Sequence, residues 1–329
     1  MKKNYIPMVA GRKASLPLIY GDTPSFLGGT IVKQDEIPSG FDIVVGGVPW
    51  EGTVTWGSFS GCELAPKSIR HAAARYGGFL PEYEIDLFDH LTLADAGDVT
   101  VYSGDAERTM QSVKKFADRV YAAGSVPVLL GGDHSFSPEV VRALIDNRGG
   151  RIGIIHFDSH MDNSMSFGED VLPRCGPLHR IAQIEEVDPV NIVHVGIRGP
   201  RNASAQYHYA KELGSTIFTM KQVRDRGMET ITREAISIAG VDTDYIYVTI
   251  CSDCVDVGFN PGGPADFFGL TPGEFFTALF TIGEHGIDGL DIVEIYPQQD
   301  PNSVSSHLAS WAVIYALAGI ASGRKAQAV

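Results

Sequence analysis

Three residues of metal-binding types alternate along the stretch 151–164, which reads RIGIIHFDSHMDNS. Asp158, His160 and Asp162 are two positions apart, so an extended backbone would project all three side chains to one side. They follow an apolar run that predicts a buried strand at 152–157, and open α/β sheets keep their sites at the carboxyl ends of strands. A solvated turn is the alternative, because Asp, Ser and Asn are common in turns.

Two further segments place acidic, histidine or cysteine side chains directly after an apolar run. GGDHS occupies 131–135 after VPVLL, and CSDCVD occupies 251–256 after YIYVTI. In a parallel sheet the carboxyl ends of all three strands open on one edge, so ligands distant in sequence would meet there. Mixed histidine and carboxylate ligands suit Mn, Ni, Zn or Fe, whereas Ca and Mg favour oxygen alone. The three clusters together favour a metal site over a turn.

The elements that would position these clusters alternate between strand and helix, which indicates an α/β fold with a parallel sheet covered on both faces. Apolar runs predict strands at 41–47, 87–99, 126–130, 152–157, 191–195, 215–219, 245–250 and 289–295. Helical periodicity predicts helices at 65–76, 106–123, 139–147, 206–213, 228–239, 271–284 and 303–321. No repeat or linker divides the chain, so we expect an irregular N-terminal arm at 1–40 and a single domain at 41–329.

The composition limits the class of protein. Of the 329 residues, 44% are hydrophobic and 20% are charged, which is typical of globular proteins. The net charge of −14 argues against nucleic acid as a partner and is compatible with a small cationic substrate. No apolar run approaches the ~20 residues that span a bilayer, and the N-terminus lacks the apolar core of a signal peptide. The four cysteines are too scattered for a disulfide framework. We therefore expect no membrane association and a cytoplasmic location.

The order of these motifs resembles that of the ureohydrolases, the family of arginase, agmatinase, guanidinobutyrase and the guanidine hydrolases. GGDHS, the D-x-H-x-D pattern at 158–162 and an acidic cluster before FNPG carry the resemblance, which extends from about Asp42 to Ala321 and includes SGCELAPKSIR and LDIVEIYP. It implies an arginase-like three-layer α/β/α sandwich with a mostly parallel sheet, often assembled as trimers or hexamers. The sequence DVGF at 256–259 is most similar to the guanidine-hydrolase branch, whose members use nickel.

The resemblance also implies a metal centre. In that family two divalent ions hold a hydroxide that attacks the carbon of a guanidinium group, because the metals lower the pKa of the bound water. By position, the ligands of one metal would be His134 and Asp162. The other metal would be bound by His160 and Asp253, and Asp158 would bridge the two. Ni²⁺ or Mn²⁺ would suit this ligand set.

The chain departs from the family pattern at two positions of the implied site. Cys251 stands where the family has a metal-bridging Asp, and a thiolate is a softer and larger ligand. Cys175 stands where agmatinase-like members have a histidine that shuttles a proton, and His179 would replace it only if the loop were remodelled. The candidate catalytic residues are therefore Asp162, Cys175 and His179. Glu294 is implied to face the guanidinium nitrogens of the substrate.

Loss of a bridging carboxylate and of a proton shuttle is typical of a retired active site, so we expect at most one weakly bound metal in this chain alone. Three hypotheses remain. The first, which we favour, is a subunit with a degenerate site that supports a catalytic paralogue in a trimeric or hexameric assembly and resembles the two-component metformin (biguanide) hydrolases. The second is a self-sufficient hydrolase of guanidine, a biguanide or an alkylguanidine that uses Cys251 as a ligand. The third is a non-catalytic binding or regulatory protein.

Overall fold

A nine-stranded parallel sheet forms the centre of the protein. The structure, a computed structural model, describes residues 23–53 and 59–327. The strands are β1 (Thr30–Ile31), β2 (Ile43–Gly47), β3 (Phe79–Leu80), β4 (Ile85–Asp86), β5 (Leu93–Asp98), β6 (Val126–Leu130), β7 (Ile152–Phe157), β8 (Ile192–Ile197), β9 (Thr216–Thr219), β10 (Tyr245–Cys251) and β11 (Gly289–Val293). The order in the sheet is β1-β5-β2-β6-β11-β10-β7-β8-β9, and the described pairs in it run parallel. Strands β3 and β4 form a separate antiparallel pair.

Helices cover both faces of the sheet. They are α1 (Ala65–Ala73), α2 (Ala106–Ala122), α3 (Ser137–Arg148), α4 (Pro177–Ile181), α5 (Ser204–Glu212), α6 (Met220–Arg226), α7 (Met228–Ala239), α8 (Pro272–His285) and α9 (Val304–Gln327). Successive side chains of a strand point to opposite faces, so each strand serves two cores. In β7, Ile155 and Phe157 join the core formed with α8 and α9, whereas Ile152 and Ile154 join the core formed with α2 and α3. The predicted three-layer α/β/α sandwich is confirmed.

Most of the predicted elements agree with the structure, and the elements that the sequence did not predict are short. The strands predicted at 126–130 and 152–157 and the helix predicted at 228–239 coincide with β6, β7 and α7. The short strand predicted within 87–99 is β5, and 87–89 before it forms a 3-10 turn in which the side chain of Asp86 accepts from the N–H of Phe88. Helices α4 and α6 were not predicted, since five and seven residues are too few for a helical period to be visible.

The segment before β2 is part of the sheet in the region that the structure describes. Residues 1–22 of the predicted arm lie outside the described residues. Phe26 and Leu27 are buried, and the backbone N–H of Phe26 donates to Asp95 at 2.7 Å. Strand β1 then pairs with β5 at the edge of the sheet. The last third of the predicted irregular arm therefore contains a strand that extends the sheet.

Helix α9 closes the fold. By length and composition it is apolar enough to cross a membrane, which the sequence analysis did not anticipate. However, 78% of its most apolar 18-residue window is buried inside the protein, where α9 packs along α8. A helix that is apolar all round is also what the core of a large α/β protein requires. The burial therefore accounts for its hydropathy.

Candidate active site

Four neighbouring strands end at one edge of the sheet and supply the residues of the candidate site. Strands β6, β11, β10 and β7 lie side by side in parallel orientation. The residues at or just after their carboxyl ends are His134, Glu294, Cys251 and Asp158, in the same order. The structure therefore brings together the three clusters that the sequence predicted would meet at one edge.

The turn after β6 depends on a close approach between two backbones. A Cβ atom at Gly132 would lie 1.9 Å from the carbonyl oxygen of Trp50, so only glycine fits there. The N–H of Asp133 donates to that same oxygen at 2.9 Å. The carboxylate of Asp133 then accepts from the N–H of Ser135 at 3.0 Å and caps the 3-10 turn that begins with His134. These bonds direct His134 towards the strand ends.

Two groups of potential metal ligands share Asp158. The first group contains His134, Asp158 and Cys251, and the second contains Asp158, His160 and Asp253. In each group, one ligand atom from every residue lies within 4.8 Å of the others. Oδ2 of Asp158 is 3.4 Å from Nδ1 of His134, and Oδ1 is 3.4 Å from Nδ1 of His160. Asp158 therefore has the central position predicted for it, with one oxygen towards each group.

The second group has the donor set of a borderline divalent ion. Nδ1 of His160 lies 3.0 Å from Oδ2 of Asp253, an oxygen that is buried and accepts no hydrogen bond of regular geometry among the described residues. Burial alone would lower the pKa of His160, but the carboxylates of Asp253 and Asp158 hold it well above its usual value. A buried carboxylate oxygen without a hydrogen bond is costly, and a cation would satisfy it. The residues present fit Mn²⁺ or Ni²⁺ here.

The first group has a thiol where the second has a carboxylate. Cys251 is 2% exposed, and burial together with the charge of Asp158 raises the pKa of its thiol well above the usual value. Because metals bind the thiolate, a metal ion would have to displace this proton. A thiolate ligand favours softer ions than Mn²⁺. Cys254 is fully buried in the core and belongs to neither group.

Asp162 lies beside the first group and faces the pocket. Its Oδ2 is 2.9 Å from Nδ1 of His134, the residue with which it was predicted to share a metal. The backbone φ of Asp162 is 42°, a conformation that residues other than glycine rarely adopt. The N–H of Leu178 donates to its carbonyl oxygen at 2.9 Å, which helps to fix this conformation. Strain of this kind is concentrated at functional sites.

A second layer of polar residues orients the potential ligands. Nε2 of His156 is 3.0 Å from Oδ2 of Asp158, and its Nδ1 is 2.9 Å from Nδ1 of His194. Behind the first group, Nε2 of His134 is 2.8 Å from Oγ1 of Thr249. Such partners fix the orientation of metal ligands. The sequence analysis missed them, because a histidine or threonine inside an apolar strand resembles an ordinary core residue.

Asp266 adds a further carboxylate beside the second group. Its Oδ2 is 3.3 Å from Nε2 of His160, and the side chain also pairs with Arg201. Burial alone would raise the pKa of Asp266, but His160 and Arg201 lower it to about 2. Both ring nitrogens of His160 therefore face carboxylates: Nδ1 faces Asp158 and Asp253, and Nε2 faces Asp266. Asp266 lies in a loop with no strand before it, so strand-end reasoning could not identify it.

A pocket opens beside the two ligand groups. Its lining residues in the described part of the chain are His160, Asp162, Ser164, Phe167, Arg174, Cys175, Arg201, Gln206, Cys251, Asp253, Pro264 and Glu294. The loops 163–174 and 199–209 contribute to this lining, whereas residues 54–58 of the loop 48–61 lie outside the described residues. Among the lining residues the only imidazole belongs to His160, which is itself a potential ligand.

The structure places Cys175 in the pocket and His179 outside its lining. Cys175 is half-buried, and burial raises the pKa of its thiol. His179 lies in α4 with its Nδ1 3.0 Å from the hydroxyl oxygen of Tyr209. The loop therefore does not bring His179 into the shuttle position that the sequence analysis left open for it. A neutral thiol stands where the resemblance implied an imidazole.

Glu294 lines the pocket, but its carboxylate already contacts a guanidinium group of this chain. Nη1 of Arg174 lies 3.3 Å from Oε2 of Glu294, and the hydroxyl of Tyr296 donates to the same oxygen at 2.6 Å. Burial raises the pKa of Glu294 to about 7, although Arg174 opposes this shift. The sequence analysis did not identify Arg174. Several acidic residues at neighbouring strand ends were the available signal, because buried anions require a buried cation.

Comparisons with known proteins agree with this architecture. A family model described as the arginase family matches residues 41–319. Guanidinopropionase of Pseudomonas aeruginosa is 28% identical over 86% of this chain and 89% of its own length. Formimidoylglutamase of Halalkalibacterium halodurans is 30% identical over 80% of this chain and 82% of its own length.

Solved structures are similar over nearly the whole chain. Proclavaminate amidinohydrolase from Streptomyces clavuligerus superposes with a TM-score of 0.84 at 25% identity and covers 92% of this chain and 99% of its own. Formiminoglutamase of Trypanosoma cruzi, solved with Mn²⁺, shares the fold with a TM-score of 0.80 at 23% identity and covers 91% of this chain and 99% of its own. The fold is thus shared with solved structures of an amidinohydrolase and of a formiminoglutamase.

Proposed function

Because this chain belongs to the arginase family, we propose that it is a subunit of a metal-dependent hydrolase that cleaves a C–N bond of a guanidine or biguanide. Its relatives include guanidinopropionase, agmatinase and proclavaminate amidinohydrolase. In this proposal its own site is degenerate, and a paralogous subunit with a complete site carries out the reaction. The arrangement resembles that of a two-component biguanide hydrolase.

One observation carries the proposal: the pocket offers a thiol where a proton shuttle is needed. Cys175 lines the pocket, while His179 lies against Tyr209 and outside the lining. General acid–base catalysis works best with a group whose pKa lies near the working pH. A buried thiol of raised pKa neither accepts nor returns a proton readily at neutral pH. Expulsion of an amine from a tetrahedral intermediate, which leaves urea or a related product, would therefore lack its proton donor.

The residues at the strand ends support binding of a metal ion, although the described lining of the pocket lacks the proton shuttle that turnover needs. His160, Asp253 and Asp158 would hold one ion, while Asp162, His134 and Cys251 surround the neighbouring position. When bound, such an ion lowers the pKa of water and polarises the substrate. The second-layer residue His156 holds Asp158 in the orientation that both groups share. We propose Ni²⁺ or Mn²⁺ at the group that contains Asp253, and at most one tightly bound ion in this chain alone.

A second candidate function is favoured by the position of Cys251. This residue lies with His134 and Asp158 at ligand distances, so its thiolate could complete a second metal position. In that case the chain would hydrolyse guanidine or an alkylguanidine by itself. Metal content distinguishes the two candidates, because self-sufficient catalysis by the family's reaction needs two ions per chain.

The test is to purify the chain alone after growth with nickel or with manganese and to measure metal per chain by elemental mass spectrometry. Turnover is then assayed with guanidine, alkylguanidines and biguanides, alone and after mixing with a paralogue that has an intact bridging carboxylate. We expect no more than one ion per chain and turnover only in the mixture. The matched control is Cys251→Asp, which restores a carboxylate ligand and should raise the metal content. Two ions per chain together with turnover by the isolated protein would overturn the proposal.

The assembly and its location are part of the same proposal. A trimer or hexamer that mixes this chain with the paralogue would explain why a degenerate site is retained. We propose that the complex acts in the cytoplasm on a small cationic substrate, without nucleic acid or membrane. Mass measurement of the native complex, co-expressed with the paralogue, would show whether both chains are present. A homomeric particle that excludes the paralogue would contradict this part of the proposal.

A further inference from the structure

The guanidinium group of Arg174 is held between three carboxylates, which we call the carboxylate triad: Glu51, Asp133 and Glu294. Nη2 lies 3.0 Å from Glu51 and 3.8 Å from Asp133, and Nη1 lies 3.3 Å from Glu294. Nε donates to the carbonyl oxygen of Thr53 at 3.2 Å. Arg174 is only 3% exposed, although it lines the pocket. A planar cation with several N–H donors is thus enclosed by anionic acceptors.

Backbone donors fix the first two members of the triad in place. Glu51 accepts from the N–H of Ser60 at 2.7 Å and from the N–H of Gly61 at 3.0 Å. Asp133 accepts from the N–H of Gly52 at 2.6 Å. These bonds hold the carboxylates in one orientation before any cation binds. The triad is therefore a preorganised receptor for a guanidinium group, whose fork of donors matches carboxylates.

Both carboxylate oxygens of Glu294 already accept hydrogen bonds within this chain. Oε1 accepts from the N–H of His134 at 3.0 Å. Oε2 accepts from the hydroxyl of Tyr296 at 2.6 Å and from Arg174. A second guanidinium could reach this carboxylate only if Arg174 withdrew. The residue implied to bind the substrate's head group is already bound to an arginine.

The loop that carries Arg174 is tied to the rest of the site. The N–H of Ser164 donates to the carbonyl oxygen of Cys175 at 2.9 Å, and the hydroxyl of Thr53 bonds to Asp170. These two hydrogen bonds hold the loop that carries Arg174 in place. Withdrawal of the side chain would leave three buried carboxylates without a cation, which is strongly unfavourable.

We propose that Arg174 is a tethered occupant of the guanidinium subsite and excludes free guanidines from Glu294 in this chain. The inference rests on the proposed function, because the substrate of that function is a guanidine or biguanide and the family resemblance implies that Glu294 faces its guanidinium nitrogens. Its consequence is that truncation of Arg174 opens a subsite for guanidinium ions. Arg174 thus determines which ligands this pocket accepts, independently of the changes at Cys251 and Cys175.

The experiment measures guanidinium binding to metal-free protein, so that neither metal content nor turnover enters the result. Wild type, Arg174→Ala and the double variant Arg174→Ala/Glu294→Gln are dialysed against labelled guanidinium at concentrations far below those that denature proteins. Sodium at equal ionic strength controls for charge, and urea controls for shape. We expect Arg174→Ala to bind guanidinium at least about tenfold more tightly than wild type, which corresponds to about 1.4 kcal/mol. Glu294→Gln should abolish most of this gain.

A second buried arginine provides the matched control. Arg70 is also 3% exposed and pairs with the carboxylates of Asp95 and Asp98 outside the pocket. Any guanidinium binding that Arg70→Ala gains should be insensitive to Glu294→Gln. Wild type that binds guanidinium as tightly as Arg174→Ala, with loss on Glu294→Gln, would overturn the inference. Folded Arg174→Ala that shows no binding would also overturn it.

Arg174→Ala could unfold, since it leaves the triad without its cation. Thermal denaturation then supplies the measurement, because a ligand that binds only the native state raises the melting temperature with its concentration. We expect guanidinium to stabilise Arg174→Ala more than wild type at the same low concentration. If that variant does not fold at all, Glu51→Gln/Arg174→Ala removes one negative charge and the same comparison applies. Failure of these binding tests leaves the subunit proposal standing. Two ions per chain together with turnover of a guanidine by the isolated chain would overturn both, because a free guanidine would then reach Glu294 despite Arg174.

Discussion

The two ligand groups at the strand ends share Asp158 and each contain a histidine, but they differ in the type of the third ligand. The group of Asp158, His160 and Asp253 has only imidazole and carboxylate donors, whereas the group of His134, Asp158 and Cys251 includes a thiol. Both are buried and supported by neighbouring side chains. The comparison shows that a group of ligands can keep its place at the strand ends while its negative charge decreases. A protonated thiol in place of a carboxylate removes one negative charge from the candidate metal centre. The group that contains Asp253 should therefore bind hard or borderline ions, and the group that contains Cys251 should favour softer ones.

The largest effect is expected for Asp158→Asn, which changes the residue that both groups share. Each group would lose an anionic ligand, so affinity for both Mn²⁺ and Cd²⁺ should fall by more than the roughly 10–100-fold that changes in a supporting shell cost. Isothermal titration with the two ions measures this directly. If either ion bound as in wild type, the two groups would not share Asp158.

Asp253→Asn should separate the groups. This change neutralises a ligand of the group that contains His160 and leaves the group that contains Cys251 intact. Affinity for Mn²⁺ and Ni²⁺ should therefore fall by about 10–100-fold, while affinity for Cd²⁺ changes little. Competition dialysis with the three ions gives the ratio. Equal losses for all ions would mean that the groups act as one site.

Cys251→Ala should have the opposite selectivity. The variant removes the only thiol of the two groups, so Cd²⁺ affinity should fall by about tenfold while Mn²⁺ affinity is nearly unchanged. With Co²⁺, the wild type should show a thiolate-to-metal charge-transfer absorption that the variant lacks. A matched Cys254→Ala variant should keep this absorption, since Cys254 is buried in the core. An absorption that survives Cys251→Ala would show that this thiol does not bind metal.

The smallest effect is expected for His156→Asn in the supporting layer. His156 lies 3.0 Å from Asp158, and its loss would loosen a ligand without removing one, so metal affinity should fall by about tenfold. Both ions should weaken alike, because Asp158 serves both groups. Far-ultraviolet circular dichroism checks that the fold is kept. A loss confined to one ion would show that His156 orients only one oxygen of Asp158.

The sequence was sufficient for the positions of the ligands and insufficient for their surroundings. Asp158, His160 and Asp253 lie at strand ends, and a parallel sheet fixes where strand ends meet. The interactions of Arg174 depend on a loop conformation that no period or motif encodes. The supporting role of His156 depends on which face of β7 it occupies and on its neighbour in β8. Local pattern therefore predicted which side chains meet at the strand ends, and only tertiary packing revealed their partners.

The helical and loop residues around the pocket show the same division. The sequence allows His179, four residues after Cys175, to act as a proton shuttle only if the loop is remodelled. The short helix α4 instead turns it towards Tyr209. A five-residue helix has too little periodicity to be predicted, so the direction of His179 could not be derived from sequence. The error arose from the loop and not from the family pattern.

Strand β1 has a consequence for edge-to-edge pairing of the sheet. It contributes two residues to the edge of the sheet beside β5, and its companion segment is anchored through the bond from Phe26 to Asp95. Exposed edge strands are templates for edge-to-edge pairing, and very short edge strands are one of the ways in which proteins prevent it. A chain that began at Phe41, where the family match starts, would expose the full length of β5. The segment that precedes the family match therefore covers the edge of β5 and limits edge-to-edge pairing there.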